Sequence, residues 1–99
     1  MSTTDGLIQA GPSLYNLEAG LANAERLLAE AAATGARLAV FPEAFLTGYP
    51  KGASFGTLLG SRSHEGRAEF RRYFESALDV PSAATARLGE AARAHAIWL

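Results

Sequence analysis

The chain has 99 residues, 48% of them apolar, with nine basic and ten acidic side chains, a formal net charge of −1 and no cysteine. A chain this short makes at most one small domain, and its basic residues (eight arginines, one lysine) are scattered, which argues against the basic face of a nucleic-acid binder or a polybasic membrane patch. The missing cysteine excludes disulfides, thiolate metal sites and a cysteine nucleophile within these residues. No stretch approaches the roughly 18 apolar residues of a membrane span.

Residues 1–6, "MSTTDG", lack a basic region followed by an apolar one and do not read as a signal peptide. A soluble, cytoplasmic location is expected. Residues 7–10, "LIQA", predict a short strand, ended by Gly11 and by Pro12, which has no N–H for a ladder. Asn16 is suited to cap a helix, with Glu18 in the first turn near the positive end of the dipole. Leu17, Leu21, Ala24, Leu28 and Ala31 follow at helical spacing, so a helix is predicted over 17–34. Gly35 is placed to end it in a left-handed conformation.

Residues 38–41, "LAVF", form a continuous apolar run, the pattern of a parallel strand covered on both faces. Strand, helix and strand in this order predict a right-handed crossover. An irregular stretch, 42–64, comes next, and loops of that length in a small domain are commonly functional or mobile. A helix is predicted over about 65–78, with Phe70, Tyr73, Phe74 and Ala77 on one face and Arg71 paired with Glu75. Pro81 breaks the chain and Ser82 caps a third helix, whose apolar stripe is Leu88, Ala91, Ala92 and His95. The final "AIWL" begins like a third buried strand.

The stretch "VFPEAFLTGYPKG", residues 40–52, carries the chemistry candidate. It places a lone carboxylate, Glu43, just past the C-terminal end of a predicted parallel strand, where α/β sheets bind their ligands. Partial burial there would suit Glu43 to act as a base; the plainer alternative is a solvated loop acid or a helix cap. Gly48, Tyr49 and Pro50 have the composition of a turn. Tyr49 either lines a pocket or packs over the sheet edge. Lys51 reads as a solvated surface group. His64 and His95 are far apart in sequence, and without cysteine they do not suggest a metal site. Gly52, Gly56 and Gly60 fit no nucleotide-binding fingerprint, and Ser54, Ser61 and Ser63 lack a nucleophile-elbow context.

Taken together, "LIQAGP", "NLEAGLANAERLLAEAAATGA", "RLAVFPEAFLTGYPKG" and "EGRAEFRRYFESALDVPSAATARLGEAARAHAIWL" resemble the N-terminal part of a nitrilase, within the carbon–nitrogen hydrolase superfamily. The segment "FPEAFLTGYP" is the most specific. The resemblance implies an α/β fold, a four-layer αββα sandwich, of which about three strands and three helices are present. Residues 1–99 would then be the N-terminal part of a single domain, ending before the family's catalytic lysine and cysteine.

The resemblance also implies a glutamate–lysine–cysteine site that hydrolyses a small organic nitrile to a carboxylic acid and ammonia, with no cofactor and no metal. Glu43 matches the family's glutamate, the general base and proton acceptor, and Tyr49 is a candidate substrate-binding residue. Lys51 does not match the family's lysine. Cyanide hydratase, cyanide dihydratase and amidase activities of the same superfamily are alternatives. So is a non-catalytic truncated interaction module that docks on full-length subunits. The family's habit implies a homo-oligomer, or a complementing C-terminal segment, as partner. The 99-residue chain alone is expected to be inactive, and aggregation-prone or partly molten. Two departures stand out. "TTDG" shortens the first strand, and Ala96 stands where such helices commonly end in Gly or Asn. If the backbone there needs a positive φ, alanine costs on the order of 1 kcal/mol.

Overall fold

The structure is a computed structural model that describes residues 4–48 and 64–99. Among these the architecture is mixed α/β, with three helices and two parallel strands. In chain order they are β1 (Asp5–Leu7), α1 (Leu17–Ala33), β2 (Leu38–Val40), α2 (His64–Glu75) and α3 (Ala83–Ala94).

β1 pairs with β2 in parallel, Asp5 opposite Leu38, Gly6 opposite Ala39 and Leu7 opposite Val40. The Arg37 N–H donates to the Thr4 carbonyl at one end, and the Ile8 N–H to the Val40 carbonyl at the other. On the other side of β2, Trp98 forms a single parallel bridge to Leu38. There the Ala39 N–H donates to the Trp98 carbonyl and the Trp98 N–H to the Arg37 carbonyl, both at 2.8 Å. β2 is therefore the central strand. The predicted "AIWL" strand is this one bridge among the described residues.

The first strand lies earlier than the apolar run 7–10 suggested. Pairing, not hydrophobicity, sets its limits: β2 offers ladder positions only from Leu38 to Val40, and register puts Asp5–Leu7 opposite them. Pro42, without an N–H, follows shortly after β2 and cannot extend the ladder.

The α1 terminus follows local chemistry. The Asn16 side chain accepts from the Ala19 N–H at 3.0 Å, and this bond satisfies one of the donors left open in a first helical turn. Gly20, Leu21, Ala24, Leu28 and Ala31 are the buried face of the helix. At the end of α1, Gly35 takes φ +87° and the Ala36 N–H reaches back to the Ala31 carbonyl. α3 ends in the same way with a different residue. Ala96 takes φ +52° and the Ile97 N–H reaches back to the Ala92 carbonyl. Both turns deliver a buried residue, Ala36 or Ile97, to the start of a sheet position.

α3 starts with a reciprocal cap. The Thr85 N–H donates to Ser82 Oγ, and the Ser82 N–H donates to Thr85 Oγ1. His95 ends the helix as its exposed C-cap, the place its sequence position implies near the negative end of the dipole, and does not join the apolar stripe. α2 ends at Glu75, short of the expected 78. The Ser76 hydroxyl donates to the Tyr73 carbonyl there, a local bond that competes with helix continuation. Its apolar residues Phe70 and Phe74 are exposed.

The core lies between the sheet and helices α1 and α3. Leu28, Ala31, Ala36, Ala39 and Ile97 form it, with Ile8, Phe41, Ala91 and Ala92 packed around them. The opposite face of the sheet is open among the described residues: Leu7 is 74% exposed, Val40 47% and Trp98 79%. Among the described residues β2 is covered on one face, not on both as its continuous apolar run predicts. Both helices that pack on the sheet meet the Gly6 and Ala39 side, and alternation sends Leu38 and Val40 the other way.

Candidate active site

β2 ends at Val40, and the chain runs through Phe41 and Pro42 to Glu43 at the mouth of the central strand. Residues 43–47 form a turn that reverses the chain over the start of α1. Ala44, directly after Glu43, has φ +55°. That conformation is rare for a residue with a Cβ, and strained backbone of this kind gathers at functional sites.

Four contacts hold the turn. The Gly48 N–H donates to the Ala44 carbonyl at 2.9 Å, and the Tyr15 N–H to the Thr47 carbonyl at 2.8 Å. The Phe45 ring is buried and packs on Phe41 with centroids 5.0 Å apart. The Leu46 backbone lies directly against Gly20 of α1. Tyr15 in turn meets α2, edge-on to the Tyr73 ring at 6.3 Å and with the Arg72 guanidinium 5.4 Å from its own ring centre.

Glu43 itself is exposed, and the partial burial expected for it is not present among the described residues. Among the described residues the turn is seated on the start of α1 from one side only. A cavity of about 350 Å³ opens beneath the turn, lined by Phe41, Phe45, Leu78, Leu88 and Leu99. Pro42 and Ala44, on either side of Glu43, line it as well, but the carboxylate does not. The cavity's lining is mostly apolar, with Thr47 the one hydroxyl residue and no ionisable side chain.

Tyr49, the second candidate, lies outside the described residues, as do Lys51, Ser54, Ser61, Ser63 and the glycines at 52, 56 and 60. His64 opens α2 and His95 caps α3, so the two histidines are not brought together as a ligand pair. Among the described residues, no three His, Cys, Asp or Glu side chains cluster as metal ligands, and no helix is long and apolar enough to cross a membrane.

Sequence reading passed over three residues that shape this region. Gly20 left one signal, a glycine inside a helix otherwise made of strong helix formers. Tyr15 left none, because its role depends on Thr47 and on α2. Arg87 joins α3 to α1 through Glu25 and Glu18, a partnership between distant segments that no local pattern announces.

The comparisons with known proteins bear on what this turn belongs to. A family model described as carbon–nitrogen hydrolase matches residues 6–99. A bifunctional nitrilase/nitrile hydratase from Nicotiana tabacum is 48% identical over 93 residues, which is 94% of this chain and 27% of that protein. An aliphatic nitrilase from Sinorhizobium fredii is 45% identical over 94% of this chain and 30% of its own length. Nitrilase 1 of Arabidopsis thaliana is 41% identical over the same share of this chain and 27% of its own length. The chain thus spans less than a third of the length of these relatives. With a match that starts in β1 and runs through the Glu43 turn to Leu99, the chain belongs to the carbon–nitrogen hydrolase family.

Proposed function

We propose that the protein containing these residues hydrolyses an organic nitrile to a carboxylic acid and ammonia, with Glu43 as its general base. The observation that carries this reading is the 40–48% identity to nitrilases across nearly the whole chain. The position of Glu43 at the mouth of the central strand supports it.

In this reading Glu43 takes the proton from a cysteine thiol supplied from outside these 99 residues. The thiolate adds to the nitrile carbon, and the nitrogen takes a proton to give a thioimidate. One water adds to that carbon and ammonia leaves, which gives a thioester. A second water releases the acid and restores the thiol. If the thiol leaves before ammonia does, the product is the amide after one water. The relatives described as bifunctional nitrilase/nitrile hydratases make this a specific second outcome. A residue that holds Glu43 in place contributes to both routes.

The same reading makes residues 1–99 one part of a single four-layer domain. The open face of Leu7, Val40 and Trp98 is then the face that meets a second sheet, and that cover would bury Glu43. A homo-oligomer in the cytoplasm is part of the proposal, and Tyr49 remains its candidate substrate contact. The test is turnover of aliphatic and aromatic nitriles by the protein at its native length, with acid, amide and ammonia measured separately. Release of acid or amide that Glu43→Gln abolishes is the expected result. Hydrolysis of amides with no action on nitriles would move the assignment to an amidase.

A further inference from the structure

Glycine weakens the interior of a helix relative to alanine, so a buried glycine there needs a reason. Gly20 lies inside α1 and is buried, amid leucine, alanine, asparagine and charged residues that favour or tolerate helix. The reason is on the facing chain. A Cβ at position 20 would lie 1.8 Å from the Leu46 carbonyl oxygen, 2.7 Å from its carbon and 3.0 Å from the Leu46 Cα. All three are backbone atoms, so no side-chain rotation relieves the contact.

Leu46 cannot simply lift away. The residue before it, Phe45, is buried against Phe41, and the residue after it, Thr47, accepts the Tyr15 N–H. The Ala44 carbonyl accepts the Gly48 N–H across the same segment. A push at Leu46 is therefore passed to Ala44 and on to Glu43. The other glycine inside a well-capped helix, Gly89 of α3, is a natural contrast: it is exposed, and a Cβ there would meet nothing within 4 Å.

We propose that Gly20 is a positioning residue for Glu43. Its missing side chain lets the turn sit against α1 at the one height that sets the carboxylate at the strand mouth. The catalytic part of this inference rests on the reading of Glu43 as general base.

The test compares wild type, Gly20→Ala and Gly89→Ala in the protein at its native length. Two readouts are taken, steady-state nitrile hydrolysis and amide hydrogen exchange at Tyr15 and Gly48. Gly20→Ala is expected to lower kcat at least tenfold with KM within twofold, and to speed exchange at both amides at least tenfold. Gly89→Ala is expected to keep wild-type kcat and exchange at these amides. A Gly20→Ala protein with wild-type kcat and unchanged exchange overturns the proposal. If wild type turns over no nitrile, the nitrilase reading fails by itself and exchange alone decides on Gly20. If Gly20→Ala does not fold, Phe45→Leu is read in its place, since it loosens the same turn at its buried ring and leaves Gly20 and the Leu46 backbone as they are. Faster exchange at Gly48 with a lower kcat is the expected result, and wild-type kcat overturns the proposal.

Discussion

Arg87 of α3 clasps Glu25 of α1 across 62 residues of sequence, its Nε and Nη2 donating to one carboxylate oxygen at 2.9 and 2.5 Å. Its Nη1 donates to Glu18 at 2.7 Å. The hydrogen bond from Arg87 is the main reason the Glu25 carboxyl is held below its ordinary value of 4.5, against the opposing effect of desolvation and with help from the charge of Arg87. The Arg87 guanidinium is raised in turn, first by Glu25 and then by Glu18. A carboxyl whose folded-state value is depressed adds stability above its unfolded value, and loses it as pH falls through the folded one. Stability is therefore expected to decline as pH drops below 4.5. Arg87→Ala should be less stable at neutral pH and flatter across that acid range. Urea midpoints from pH 7 down to pH 3 measure both, and equal slopes for the two proteins would rule out the clasp as the source.

The caps of this fold were legible because their chemistry is local. Asn16, Ser82 and Gly35 act within four residues of themselves, and each stands where its side chain or backbone freedom implied. The position of Glu43 just after the central strand was legible for a similar reason: a proline closes the strand and one acid follows. What depends on a distant partner was not. The run 7–10 is more apolar than 5–7, yet register with β2 chose the latter. The run 38–41 reads as buried on both faces, while only one face is covered by the described residues. The Arg87 clasp and the Gly20 contact join segments that meet only after folding. Tyr49 falls outside the described residues.

The matched ends of α1 and α3 give a second prediction. The same left-handed turn is made by Gly35 in one and by Ala96 in the other. A non-glycine residue there costs about 1–2 kcal/mol, partly offset by the extra freedom of an unfolded glycine. Ala96→Gly is expected to raise stability by up to about 1 kcal/mol, and Gly35→Ala to lower it by a similar amount. Denaturant unfolding of the two variants gives the signs. A destabilised Ala96→Gly would show that the turn at the end of α3 is not under strain.

The open sheet face gives a third. Among the described residues, Leu7, Val40 and Trp98 present apolar surface beside a strand edge with no further partner, a combination that drives association. The isolated 99-residue chain is expected to sediment as species larger than its 10.4 kDa monomer. Val40→Lys with Trp98→Lys should shift it toward monomer, since a charge on this face must be hydrated. A wild-type chain that stays monomeric at tens of micromolar, with sharp and dispersed NMR resonances, would show that the face needs no cover.

Glu43 supports the most direct prediction, because two substitutions separate its charge from its reach. Glu43→Gln keeps the size and removes the base. Loss of a general base costs roughly 10²–10⁴-fold in rate, and no external pH restores it. Glu43→Asp keeps the base but draws the carboxylate back by one methylene, about the 1 Å misplacement that can cost on the order of 100-fold. Both should leave folding intact, since Glu43 belongs to neither the core nor a helix cap. Both should act on kcat more than on KM. The order of activity expected for the native-length protein is wild type, then Asp, then Gln. If Gln is as active as Asp, the carboxylate does not accept the proton, and the role of this turn is to shape the site rather than to supply its base.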